Sequence, residues 1–299
     1  MALQRALESA RLRSSRLFCD AFAPHFVSRR WRLVIRASRV GAVRRAVEVL
    51  YDRVAGPGPR ASAVARTRLI DDLVTDARSW IGQLVILGAG FDARAYRLSG
   101  LAEVTVFEVD HPATQQAKRE VLGRVLAGIV EGDPLAWHVR FVPIDLERDD
   151  LARALRAAGY RDDTRSLFVW EGVTNYLTPA AVDQTLGAVH GLAATGSLLV
   201  FTYVDRAVLA GDYSRFPEAR RWVKGVRRRG EPWRFGLAPA EVAAFLAHRG
   251  FGLIGDLSTA QAGERYFQPL GRRERGSALY HVVTASVLAK AGAGASPNS

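Results

Sequence analysis

The chain has 299 residues, 48% hydrophobic and 24% charged, the balance of an ordinary folded protein with room for a substantial core. Its formal net charge of +12 is almost entirely arginine, since lysine occurs only at 118, 224 and 290. A single cysteine, Cys19, excludes an internal disulfide framework and a cysteine-rich zinc site, and no apolar run reaches the roughly 20 residues of a membrane-spanning helix.

The first residues, MALQRALESARLRSS, lack the apolar core of a secretory signal, and Glu8 and Asp20 weaken a transit-peptide reading. A cytoplasmic location with no membrane partner is therefore expected. Charge is unevenly spread: residues 1–80 carry +9, residues 81–200 carry −4, and residues 201–299 carry +7. A basic excess confined to the flanks of an Arg- and Ala-rich chain reads first as solvated arginines, ahead of nucleic-acid binding.

In chain order, residues 1–55 have apolar positions spaced by three and four and predict helices, broken by Gly56-Pro57-Gly58-Pro59. A second helix is predicted from about Ala61 to Trp80. Short apolar runs then alternate with amphipathic stretches. QLVIL (83–87) predicts a buried strand, followed by Gly88-Ala89-Gly90 and a helix through Leu98. VTVFEV (104–109), VRFVPI (139–144), SLFVW (166–170) and SLLVFTY (197–203) predict four more strands. Helices are expected at 112–130, 151–158 and 179–194 between them. The tail predicts a helix at 239–249, strands at 252–256 and 279–287, and a disordered end at 291–299. This alternation is that of βαβ units, a parallel sheet with helices on both faces.

Gly88-Ala89-Gly90 follows a buried strand and opens a helix, at the sheet edge where ligands bind in doubly wound folds. Glycine there permits close approach of a ligand, although a tight turn has equal claim on it. The stretch GAGFDA lacks the third glycine of a dinucleotide fingerprint, and Asp92 at the helix start would repel a pyrophosphate. Asp110 ends the second strand, 22 residues after Gly88, where a carboxylate can accept from ribose hydroxyls. Glu108 shares its strand face, and Asp110 can equally cap the next helix. Asp145 after the third strand can meet an adenine amino group with Leu146 covering the ring, or cap a helix. Glu171 follows the fourth strand. Acids at four consecutive strand ends, without a phosphate-binding glycine pattern, suit a cationic adenosyl ligand.

The runs ARTRLIDDLV (65–74), QLVILGAGFDARAYRL (83–98), VFEVDHPATQQAKRE (106–120), VRFVPIDL (139–146) and FVWEGVTNYL (168–177) resemble the leucine carboxyl methyltransferase superfamily, in its bacterial S-adenosylmethionine-dependent branch. The resemblance implies a Rossmann-like class I methyltransferase fold: an α/β, seven-stranded, mostly parallel sheet with helices on both faces and an N-terminal helical extension. It divides the chain into an extension or lid (1–60), a cofactor-binding domain (61–290) with a lid-like insertion at about 205–237, and a tail (291–299). By similarity Arg66 takes the methionine carboxylate of S-adenosyl-L-methionine, the backbone of Gly88, Ala89 and Gly90 runs along its methionine part, and Asp110 holds the ribose hydroxyls. Asp145 and Leu146 meet adenine, and Glu171 the ammonium. Arg5 aligns loosely with a basic residue that closes over the cofactor. Arg68 and Arg94 are equally compatible with ion pairs on helix surfaces.

A carboxylate acceptor is already an anion at neutral pH and needs no general base, whereas a phenol would profit from one. No residue pair is diagnostic of a base. His111, Tyr176 and Tyr203 are candidates to line the acceptor pocket, each with a structural alternative. No metal site is expected. The reading that results is O-methylation of a small molecule, a carboxyl group first. Its competitors are an NAD(P)-dependent oxidoreductase on the same topology and a non-catalytic basic nucleic-acid-binding protein. Acceptor identity and oligomeric state are left open.

Overall fold

The structure, a computed structural model, describes residues 1–126, 138–228 and 230–290. Four helices precede the sheet: α1 (Ala2–Ser9), α2 (Arg29–Ala37), α3 (Gly41–Ala55) and α4 (Pro59–Ala77). Strands and helices then alternate as β1 (Gln83–Leu87), α5 (Arg94–Arg97), β2 (Thr105–Asp110), α6 (Pro112–Leu126), β3 (Val139–Pro143), α7 (Leu151–Ala157), β4 (Ser166–Trp170), α8 (Pro179–Leu192) and β5 (Leu198–Val204). The chain closes with α9 (Ala219–Arg228), α10 (Val242–Ala247), β6 (Phe251–Ser258), α11 (Thr259–Phe267) and β7 (Tyr280–Val287).

The strands form one seven-stranded sheet in the order β3-β2-β1-β4-β5-β7-β6. Strands β1 to β5 pair in parallel, and β7 runs antiparallel between β5 and β6. Chain order reverses between β1 and β4, which opens a crevice at their carboxyl ends. This is the Rossmann-like class I arrangement expected from the sequence.

Both faces of the sheet are buried, which is why its strands read as short continuous apolar runs. Val85, Leu87, Phe107, Phe168, Trp170 and Phe201 face α7, α8 and α10. Their neighbours Leu84, Ile86, Val106, Leu167, Val169 and Val200 face α4 and α11. The insertion between Asp205 and Leu237, joined at its base by a parallel bridge, has its own core of Val208, Phe216 and Ala219 against Leu279 and Tyr280.

Several elements differ from expectation. The N-terminal stretch breaks between α1 and α2, because buried Asp20 accepts from the backbone of Phe22 and Ala23 and Pro24 follows at once. The helix after the glycine turn shortens to the single turn α5, since Asp92 uses its carboxylate to hold the Arg94 amide. The segment 239–249 divides into a 3-10 turn and the short α10. Helix α11 was not anticipated, although its capping box, Ser258 with Gln261, was there to be read. The predicted end of the 112–130 helix and the tail 291–299 lie outside the described residues.

Phe168 is fully buried at the centre of the sheet. Phe168→Ala is expected to lower unfolding stability by about 3–5 kcal/mol in denaturant titration. A loss below about 1 kcal/mol would mean the centre repacks freely.

Candidate active site at the carboxyl edge of the sheet

The turn after β1 places two glycines at positive φ, Gly88 at 65° and Gly90 at 45°. A Cβ on Gly88 would stand 2.3 Å from Val173 Cγ2, so this position is closed by packing as well as by backbone conformation. A Cβ on Gly90 would meet nothing nearer than 3.8 Å, on a side that faces Asp110. The Gly90 amide donates to Asp110 Oδ2, and the His111 amide donates to Asp110 Oδ1 at 2.6 Å. Asp110 thus ties the β1 turn to the end of β2 while remaining only half-buried.

Glu108 is not beside it in the cleft. Its carboxylate is buried under the sheet edge, 2.7 Å from the ammonium of Lys118 on α6, and both side chains are 1% exposed. Burial pushes the Glu108 carboxyl up to about 7, against the pull of Lys118. Between the two acids of β2, the geometry leaves Asp110 to the cleft.

Glu171 ends β4 across the crevice. Its Oε1 accepts from Arg66 Nε at 2.8 Å and its Oε2 from Arg94 Nη1 at 2.7 Å. Burial alone would raise its pKa, but Arg94 and then Arg66 outweigh burial and hold the carboxyl well below the usual range. The Arg66 guanidinium lies 4.7 Å from the centroid of the Tyr280 ring, and its Nη2 meets Met1 Sδ at 3.1 Å. Tyr280 in turn donates to Asn175 Oδ1.

Arg94 corrects the sequence reading most sharply. It is not on a helix surface but 2% exposed, bonded to Asp71 at 2.8 Å, to Glu171 and to Asp92. Arg97 adds a second arginine on Asp71 at 2.6 Å and lies 3.8 Å from Asp20. Asp20 holds Arg5 at 2.8 Å, and Arg5 donates a further bond to the carbonyl of Phe91, directly after the glycine turn. Four arginines and four acids therefore alternate in one buried chain from α1 through α4 and the β1 turn to β4. No local pattern announces it, because the partners of Arg94 at 71 and 171 are distant in sequence. Arg68 makes a surface pair with Asp72 at 2.8 Å, one of the alternatives the sequence left open, and also donates to the Leu17 carbonyl at 2.6 Å.

The remaining candidates separate. Asp145 forms a local turn, accepting from the Glu147 amide at 2.9 Å, and Asp150, not Asp145, caps α7. Leu146 is half-buried against the core. His111 is exposed, and its Nδ1 accepts from the Ala113 amide at 3.3 Å, a helix-start role. Tyr176 is half-buried in a 3-10 turn after β4, close enough to Tyr280 to act on it electrostatically. Tyr203 is fully buried, its hydroxyl donating to Asp256 at 2.7 Å and its ring stacked on His281 at 4.8 Å. That placement takes Tyr203 out of an acceptor pocket. Among the described residues no group of acids, histidines and cysteine is arranged to hold a metal. Two open cavities lie away from these residues, one of about 630 Å³ lined by His25, Arg32 and Arg124, the other of about 470 Å³ lined by Asp205, Arg206 and Arg215.

The family model for leucine carboxyl methyltransferase matches residues 1–190. A protein of Mycolicibacterium gilvum named "Putative S-adenosyl-L-methionine-dependent methyltransferase" is 40% identical over 155 residues, 51% of this chain and 49% of its own. One of the same name from Mycobacterium sp. strain KMS is 38% identical over 197 residues, 62% of this chain and 60% of its own. The chain thus aligns with half to three fifths of the length of these relatives. A crystal structure of a "putative methyltransferase" from Thermobifida fusca superposes with TM-score 0.56 at 20% identity, covering 83% of this chain and 89% of that one. A DUF574 family protein from Streptomyces avermitilis superposes with TM-score 0.52 at 16% identity, covering 95% and 96%. At such identities the two structures show the shared fold.

The Glu108–Lys118 pair yields a pH-dependent prediction. Because folding raises the Glu108 pKa, the stability this group contributes is full below the ordinary carboxylate range and is lost as pH rises through about 7. Lys118→Met strands the carboxylate and is expected to cost about 3–5 kcal/mol near pH 8. Near pH 5 the acid takes a proton, and the loss should be clearly smaller. Equal losses in thermal or denaturant unfolding at the two pH values would contradict this assignment.

Proposed function

The chain belongs to the leucine carboxyl methyltransferase family, and on that premise we propose that it is an S-adenosyl-L-methionine-dependent methyltransferase acting on the carboxyl group of a small molecule. The observation that carries the reading is the charge pattern at the crevice: a buried arginine, Arg66, and a half-buried ionised carboxylate, Glu171, beside a glycine turn closed by Asp110. These groups match the methionine carboxylate, the methionine ammonium and the ribose hydroxyls of that cofactor.

The donor set fits chemically. A carboxylate offers about four acceptor sites, and the two arginines occupy two of those on Glu171. The Arg66 Nη2 edge meets the thioether sulfur of Met1, a weak acceptor that a carboxylate would displace to advantage. Asp110 already holds two backbone amides and is fixed in direction while still half-exposed. Asp145 and Leu146, at the end of β3, are assigned to the adenine side. Bound S-adenosylmethionine would supply the electrophilic methyl group. The protein's part is to align an acceptor oxygen with it and to exclude water.

A carboxylate acceptor asks for no proton transfer, and none of the three aromatic or imidazole candidates is built as a base: His111 caps a helix, Tyr203 is buried, and Tyr176 alone stands near Arg66 through Tyr280. The insertion at 205–237 and the N-terminal helices are assigned to acceptor selection. Asp92 at the helix start counts against a dinucleotide pyrophosphate.

Arg66→Ala is expected to weaken S-adenosylmethionine at least tenfold, roughly one charge-assisted hydrogen bond. It should leave 5′-methylthioadenosine, which lacks the methionine carboxylate, within about twofold by the same arithmetic. Asp110→Ala should weaken both. Equal losses of both ligands in Arg66→Ala would refute the carboxylate role. With methyl-labelled S-adenosylmethionine and a panel of carboxylic acids, the product label should be released as volatile methanol in mild base. A base-stable label would overturn carboxyl methylation in favour of another acceptor atom.

A further inference from the structure

Helix α3 is inside out. It has fifteen residues and none of them is buried. Most of its inward contacts are polar: Glu48 bonds Arg11 at 2.5 Å, Asp52 bonds Arg60 at 2.9 Å, and Gln4 donates to the Tyr51 hydroxyl at 2.6 Å, while the half-buried Val47 packs against Ile35 and the α1 core. Its aliphatic stripe points outward, with Val43, Leu50 and Val54 recurring at intervals of seven and four residues and thus sharing one face. Leu50 is 63% and Val54 77% exposed. The preceding helix and turn continue the surface, with Leu33 and Val40 each 60% exposed and Trp31 40%.

Charge decides what such a face can meet. Residues 29–54 contain eight arginines and two acids. Both acids are turned inward onto Arg11 and Arg60, whereas Arg29, Arg30, Arg36, Arg39, Arg45 and Arg53 are exposed. The exposed charge of the α2–α3 hairpin is therefore of one sign, interleaved with tryptophan, leucine and valine. A second copy of the same face would set these arginines against one another. A nucleic acid would leave the aliphatic stripe in water. An anionic lipid surface satisfies both at once, with aliphatic side chains at the acyl boundary and guanidiniums among the headgroups.

We propose that the α2–α3 hairpin docks this protein on anionic membrane surfaces. No helix of the described residues is long and apolar enough to cross a membrane, and peripheral docking needs none. The sequence alone, judged by its lack of a spanning run, led to the expectation of no membrane partner. The turned-out face of α3 is what changes that reading, because periodicity finds an apolar stripe without saying which way it points.

The test is cosedimentation of the full chain with unilamellar vesicles of phosphatidylcholine carrying one quarter phosphatidylglycerol, against phosphatidylcholine alone. The chain should pellet with the anionic vesicles at low salt, be released at high salt, and stay soluble with the neutral ones. Leu50→Glu with Val54→Glu should reduce partitioning more than tenfold, and Arg39→Gln with Arg45→Gln by about fivefold for each arginine. Both variants should keep the wild-type melting temperature and S-adenosylhomocysteine affinity, since none of the altered side chains is among the residues assigned to the cofactor. No pelleting with anionic vesicles, equal pelleting with neutral ones, or full binding by the Leu50→Glu, Val54→Glu variant would each overturn the proposal. So would a dimer in sedimentation equilibrium that this variant dissociates, which would assign the face to a second copy.

Discussion

The buried chain of alternating charges is the constraint on which the rest of the site depends. Arg66, Arg94, Arg97 and Arg5 come from three separate segments, and so do most of their partners Glu171, Asp92, Asp71 and Asp20. Buried ion pairs are weak evidence of stability, because desolvation offsets most of the Coulomb gain, but removing one member strands its neighbour at high cost. The network therefore specifies geometry more than it adds stability. It holds α1 across the β1 turn, fixes α4 against the crevice, and keeps Glu171 ionised and aimed. Membership of the leucine carboxyl methyltransferase family agrees with a site of this composition. The arrangement itself explains how two arginines and a carboxylate can lie dry beside a glycine turn without collapsing onto one another.

The fold was legible where burial leaves a mark on residue type. Strands covered on both faces carry uninterrupted apolar runs such as QLVIL and SLFVW, and the segments between them carry helical spacing, so the parallel sheet follows directly. Asp110 and Glu171 were legible for a related reason: an acid placed just after such a run must sit at the carboxyl edge. What could not be read was pairing across distance. Nothing near Arg94 distinguishes a buried hub from a surface arginine, and nothing near Glu108 foretells Lys118 on the following helix beneath it. Tyr203 shows the same limit from the other side. Its position at a strand end suggested a pocket, but its partners Asp256 and His281 lie on strands that return to the sheet fifty and more residues later.

The two halves of the molecule use arginine differently. At the crevice arginines are dry, paired and directional. On α2 and α3 they are wet, unopposed and spread among aliphatic side chains, while the acids of that hairpin are spent on fastening it to Arg11 and Arg60. The net charge is thus not one property but two. A composition reading averages a site that is nearly neutral with a surface that is strongly positive, which is why the overall charge said little about function until the side chains were placed.

The central claim is that the crevice between β1 and β4 binds an adenosyl amino-acid cofactor and no dinucleotide. Calorimetric titration of the wild-type chain with S-adenosylhomocysteine, with NAD as the control, tests it most directly. The expected result is one-to-one binding of S-adenosylhomocysteine in the micromolar range or tighter, with no heat from NAD. Binding of NAD, or failure of S-adenosylhomocysteine to bind a folded chain, would contradict it.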